Sequence, residues 1–114
     1  IIIVDFHAEA TAEKIAMKYH LDGRVNFVFG THTHVQTADE EVTGKGTAYI
    51  TDLGMTGPKN SVIGMDTEAS LKRFITSLPE RYKLANGDCI LCGAIIDIND
   101  ECCRTEKIDR IYLK

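Results

Sequence analysis

Gly30-Thr31-His32-Thr33-His34-Val35-Gln36-Thr37 follows directly on the apolar run Val25-Asn26-Phe27-Val28-Phe29, and Val4-Asp5-Phe6-His7-Ala8-Glu9 continues the run that opens Ile1-Ile2-Ile3. Three of the four histidines thus stand at the carboxyl ends of two runs that read as buried strands. An open α/β sheet places its ligands at such ends. Residues two apart in an extended chain share a side, so His32 and His34 are expected to aim both imidazoles at one place, joined by His7 from the neighbouring strand end. Neutral imidazole is a common metal ligand, and three histidines with open positions left over point to a catalytic site holding Mn²⁺, Fe or Zn²⁺ rather than a closed structural one. His7 taken alone also fits a hydrogen-bonded buried imidazole. His20, at a helix end, reads as a surface residue or a partner of the helix carboxyl terminus.

Working outward, Glu9 to Leu21 carries Ala12, Ile15, Ala16 and Tyr19 at helical spacing, with Thr11 placed to cap and Asp22-Gly23 to end the helix. Strand, helix and strand make a parallel βαβ unit. Asp39 to Gly46 reads as a surface loop and Thr47 to Asp52 as a third strand. The glycine-bearing stretch Leu53 to Met65 suits a substrate-facing loop or a plain connection. Asp66 is expected to cap a helix running to about Leu78, with Leu71, Phe74, Ile75 and Leu78 as its apolar stripe and Pro79 as its stop. Tyr82 to Ala85, Asp88 to Ile98 and Lys107 to Leu113 read as strands of an antiparallel meander, turned at Asn86-Gly87 and at Asn99-Asp100-Glu101. The architecture is α/β, one domain over residues 1–114.

The 114 residues carry a net charge of −4 with acids and bases interspersed, so no basic stripe is present to track polymeric nucleic acid. No apolar run approaches the roughly 20 residues of a membrane span, and no signal peptide opens the chain, so a cytoplasmic location is expected. The chain starts inside an apparent buried strand with no initiator Met, which reads as the carboxyl-terminal part of something larger. Cys89, Cys92, Cys102 and Cys103 raise a zinc site, but Cys89 and Cys92 lie three apart in a strand and the other two are adjacent, which favours unliganded thiols in a reducing compartment. No nucleophile elbow, phosphate-cradling glycine loop or His-Glu-x-x-His helix occurs.

A strand ending in a lone His, followed by one ending in Gly-Thr-His-Thr-His, resembles the last two motifs of the calcineurin-like metallophosphoesterases. Val4 to Thr11, Leu21 to Val25, Gly30 to Asp39 and Gly46 to Pro58 together resemble, more closely, the bacterial YmdB-type phosphodiesterases, with the likeness running essentially end to end. That resemblance implies the carboxyl-terminal half of a four-layer αββα sandwich, often oligomeric, with two divalent ions, Fe or Mn rather than Zn. It implies hydrolysis of 2′,3′- and 3′,5′-cyclic nucleotides. Carried over by residue, His7 and His32 would serve one metal and His34 the other, while Thr33, Thr56 and Gly57 are candidates to contact phosphate or base. The bridging carboxylate and the proton-donating histidine of such enzymes come from the amino-terminal half, so no catalytic acid is expected in this chain, and the chain alone is expected to be inactive. A capsule-synthesis relative of the same superfamily and a non-catalytic cysteine-bound zinc or interaction module built on the terminal meander are the alternatives.

Overall fold

The computed structural model describes residues 1–114. In chain order the elements are β1 (Ile3–His7), α1 (Thr11–Leu21), β2 (Phe27–Thr31), β3 (Glu41–Val42), β4 (Ala48–Ile50), β5 (Gly57–Pro58), α2 (Thr67–Thr76), β6 (Cys89–Asn99) and β7 (Arg104–Leu113). The fold is mixed α/β with two sheets, ordered β1-β2-β4-β3 and β5-β6-β7.

β1 and β2 pair in parallel from Ile3↔Phe27 to His7↔Thr31, and β2 pairs in parallel with β4 from Phe27↔Ala48 to Phe29↔Ile50. This register brings the ends of the two histidine-bearing strands level. The small core lies where the first sheet meets the β6–β7 hairpin: Phe27, Ala48 and Ile50 are buried, with Phe29, Leu53, Ala94, Ile96 and Ile108 packed against them. Only 17 of the 114 residues are buried, and the radius of gyration is 16.8 Å. A compact domain of this length would have about 13 Å. The chain is therefore elongated, and large apolar side chains remain on its surface.

Helix α1 turns a different face to the sheet from the one expected. Ala12, Ile15, Ala16 and Tyr19 are exposed, whereas Lys14 and Lys18 are buried, with Met17 and Leu21 partly so. The reason is electrostatic: Lys14 and Lys18 lay their aliphatic stems on the sheet and end on carboxylates, Lys14 on Asp52 at 2.9 Å and Lys18 on Glu41 at 2.7 Å. The hydrogen bond to Glu41 outweighs burial and holds the Lys18 ammonium above its ordinary pKa. It also helps order Glu41–Val42, expected as loop, into a short edge strand antiparallel to β4. Thr11 is the first helical residue rather than the cap; Ala10 occupies that position and offers no side-chain bond.

In α2 the expected cap holds, since the Asp66 carboxylate accepts the Ala69 N–H at 3.1 Å. The meander differs. β5, not Tyr82 to Ala85, is the third strand of the second sheet, and the latter segment contributes only a single bridge from Leu84 to Met65. Asn86-Gly87 therefore makes no hairpin; the tight turn is at residues 100–103, where Asn99 Oδ1 accepts the N–H groups of Glu101 and Cys102.

Candidate functional site

β2 ends at Thr31, and the backbone beyond it is not extended: His32 has φ 118° and His34 φ 65°. The expectation that His32 and His34 share one face of a strand end is thus corrected. They occupy a bent loop in which left-handed residues send the side chains to different neighbours. Gly30 permits the loop, because a Cβ there would stand 1.8 Å from the Thr51 carbonyl oxygen. Its own carbonyl accepts the Leu53 N–H at 2.9 Å.

Asp52 anchors the loop from beneath. Oδ2 accepts the Lys14 ammonium at 2.9 Å and the Thr33 N–H at 3.0 Å, and Oδ1 accepts the Gly54 N–H at 2.9 Å. Burial pushes the Asp52 carboxyl up, but the Lys14 ammonium and these two N–H groups outweigh it, leaving the group below the ordinary carboxylate value. Thr33, between the two histidines, is thereby tied to the segment that follows β4. A third anchor is Gln36, whose Nε2 lies 3.2, 3.1 and 3.0 Å from the carbonyl oxygens of Leu53, Gly93 and Ile111. One amide thus joins the loop to both strands of the hairpin.

His7 Nε2 and His32 Nδ1 lie 3.1 Å apart, with the rings edge-on at 77° and both side chains open to solvent. The Thr31 hydroxyl donates to Asp5 Oδ1 at 2.8 Å, so toward His7 Nδ1, 3.0 Å away, it accepts. Nδ1 of His7 then carries the proton and Nε2 presents a lone pair. Two nitrogens bound side by side to one ion at ordinary bond lengths stand roughly 2.9 to 3.3 Å apart. The His7–His32 pair fits that spacing, and the carboxylate–hydroxyl–imidazole relay is the outer-shell arrangement that fixes such a ligand.

His34 turns elsewhere. Its Nδ1 donates to the Ile63 carbonyl at 2.9 Å, leaving Nε2 free, and Ile63 is itself left-handed at φ 47°. A β-branched residue in that region is strained, and here the strain sits on the carbonyl that orients a histidine. No group of three His, Cys, Asp or Glu side chains converges anywhere in the chain. The structure therefore brings His7 and His32 together, while His34 turns to the Ile63 carbonyl and does not join the pair. This corrects the expectation of three nitrogens at one point. It also removes the cysteine-bound zinc module, since all four thiols are free and do not cluster.

Of the other candidates, Thr33 spends its hydroxyl on Val35, 3.2 Å from the carbonyl oxygen and 3.3 Å from the N–H. Gly57 pairs with Ile90 in β5, and Thr56 is exposed beside it. Neither lines the cavity that opens at His34; Met55 does. Lys14, Asp52, Gln36 and Ile63 were not singled out in the sequence, although an acid two residues past an apolar strand was a signal for Asp52. His20 is exposed on the last turn of α1. No helix is long and apolar enough to cross a membrane.

The profile of a family described as "YmdB-like protein" matches residues 1–111. The chain is 54% identical over 112 residues to the Bacillus subtilis protein named "2',3'-cyclic-nucleotide 2'-phosphodiesterase", covering 98% of this chain and 42% of that one. A Mycoplasma pneumoniae crystal structure described as a novel phosphatase superposes with a TM-score of 0.92 at 41% identity, over 96% of this chain and 39% of the other. A crystal structure of a hypothetical protein from Thermus thermophilus gives a TM-score of 0.92 at 40% identity, over 97% and 43%. The chain thus spans less than half the length of the relatives it matches, and along nearly all of its own length it belongs to the YmdB-like protein family.

Proposed function

We propose that this chain supplies part of a phosphodiesterase centre that hydrolyses 2′,3′- and 3′,5′-cyclic nucleotides with two divalent ions, Fe or Mn rather than Zn. His7 Nε2 and His32 Nδ1 would hold one ion and His34 Nε2 the other. Bound metal would supply electrostatic stabilisation of the phosphoryl oxygens and a water activated near neutral pH. The chain's own residues orient and restrain: Thr31 and Asp5 hold the proton on the far nitrogen of His7, Ile63 does so for His34, and Asp52 fixes the Thr33 backbone between the two loop histidines. The observation that carries this reading is the 3.1 Å contact of two imidazole nitrogens, one of them on a ring oriented by a hydroxyl and a carboxylate behind it. Two exposed imidazoles gain little from each other in water; as adjacent ligands the same spacing is favourable.

With no third ligand beside the pair, the 114 residues alone should hold metal weakly and turn over no cyclic nucleotide. The test is metal content and cyclic-nucleotide hydrolysis of the protein at its full natural length, alongside the 114-residue chain. Metal-independent turnover would overturn the reading.

A further inference from the structure

The cavity at His34 has a volume of about 580 Å³, within the range of small-molecule sites. Its lining includes Met55, Lys59, Ile63, Ile90, Cys92 and Tyr112, and contains no Asp or Glu, although the chain carries 17 acids against 13 bases. Lys59 is unusual in this chain: Lys14, Lys18, Lys45, Lys72, Lys83 and Lys107 each meet a carboxylate, and apart from the terminal Lys114 only Lys59 does not. Arg110 also borders the cavity but is committed to Glu40 and the Thr37 carbonyl. A free ammonium, an apolar wall with one phenol ring, and a histidine with an unused Nε2 thus border one space.

We propose that this cavity is the subsite for the nucleoside end of the substrate, with the base against Met55 and Tyr112 and the Lys59 ammonium paired to an anionic phosphate oxygen. This rests on the nucleotide reading of the histidine site, and it adds an apolar wall that selects a nucleotide over other phosphodiesters and a cation that binds the phosphate. An apolar wall beside one unneutralised cation favours a ligand that is apolar and flat at one end and anionic at the other. Inorganic phosphate would satisfy only Lys59.

Cys92 in the lining allows a test that needs no turnover. In the natural-length protein with Cys89, Cys102 and Cys103 replaced by Ser, alkylation of Cys92 by iodoacetamide is followed without added metal. Adenosine 3′-monophosphate should slow it saturably, inorganic phosphate should not, and Lys59→Met should abolish the protection while Lys59→Arg keeps it. In the metal-loaded protein, Lys59→Met should lower kcat/KM for 2′,3′-cyclic AMP and for bis(p-nitrophenyl) phosphate alike, each by about tenfold, the effect of one charge-assisted hydrogen bond to the phosphate that both carry. Tyr112→Ala should instead lower the ratio of kcat/KM for 2′,3′-cyclic AMP to that for bis(p-nitrophenyl) phosphate, since the base is the group placed against that ring. Cys92 alkylation indifferent to the nucleotide, or kcat/KM for 2′,3′-cyclic AMP unchanged in both variants, would overturn the subsite even where hydrolysis is robust. Absence of any hydrolysis would instead overturn the phosphodiesterase reading, with the labelling still reporting on the cavity.

Discussion

Lys14 Nζ lies 2.9 Å from Asp52 Oδ2, with both side chains all but excluded from water. The pair joins α1 to the end of the β4 segment, and the same carboxylate oxygen holds the Thr33 N–H. Replacing Lys14 by Met leaves a buried carboxylate without its cation and is expected to cost about 3–5 kcal/mol. Asp52→Asn, which retains acceptor capacity but strands Lys14, should also destabilise. Urea unfolding of each variant checks this, and a loss below about 1 kcal/mol for Lys14→Met would show that the pair is solvated.

The same carboxylate predicts a pH dependence. Its folded pKa is lowered, so its stabilisation is present above the unfolded carboxylate value of about 4 and lost as pH falls through the folded one. Asp39 acts in the same direction: burial raises its carboxyl, but hydrogen bonds from Thr37 and Thr51 outweigh that. Thermal unfolding should show stability falling below about pH 4, with a shallower fall in Asp52→Asn.

Gly30→Ala should be among the most damaging small substitutions, since the new Cβ would meet the Thr51 carbonyl at 1.8 Å and Lys14 Cδ at 2.7 Å. Separation of β2 from the Thr51 segment should cost about 1–3 kcal/mol or more. Gly44→Ala, with nothing within 4 Å, is the matched control and should leave the midpoint nearly unmoved.

Gln36→Ala removes the donor to three carbonyls on separate segments. A loss of about 1–3 kcal/mol is expected from the unsatisfied acceptors. Hydrogen exchange should show faster opening at the hairpin end near Gly93 and Ile111 than at the Asn99 turn.

The parallel β1–β2 pairing and its histidine-bearing ends were legible because two apolar runs each end directly in the chemistry-bearing residues. The α1 face was not, since periodicity scores Lys14 and Lys18 as polar and cannot see the carboxylates that the sheet brings to them. Asn86-Gly87 misled for a related reason: Asn-Gly is a strong hairpin signal, but the partner position on β6 was already taken by Gly57–Pro58. The geometry of His32 and His34 depended on left-handed backbone that only tertiary anchors, Asp52 and Ile63, can hold.

Phe74 is 76% exposed, Ile75 80% and Leu78 62%, and Ile1, just before the edge strand β1, is 78% exposed. The 114 residues by themselves are therefore expected to self-associate. Sedimentation velocity should show oligomers that dissociate on Phe74→Glu or Ile75→Glu; a concentration-independent monomer would remove this expectation and the support it lends to a homo-oligomer.

The central claim is that His7 and His32 are neighbouring ligands of one ion, and it is tested most directly by metal stoichiometry in the natural-length protein. Elemental analysis of His7→Ala, His32→Ala, His34→Ala and His20→Ala, with hydrolysis of 2′,3′- and 3′,5′-cyclic AMP, should show matching loss in the first two, loss from a different site in the third, and neither loss in the fourth. Two metals and ordinary turnover retained in both His7→Ala and His32→Ala would contradict it.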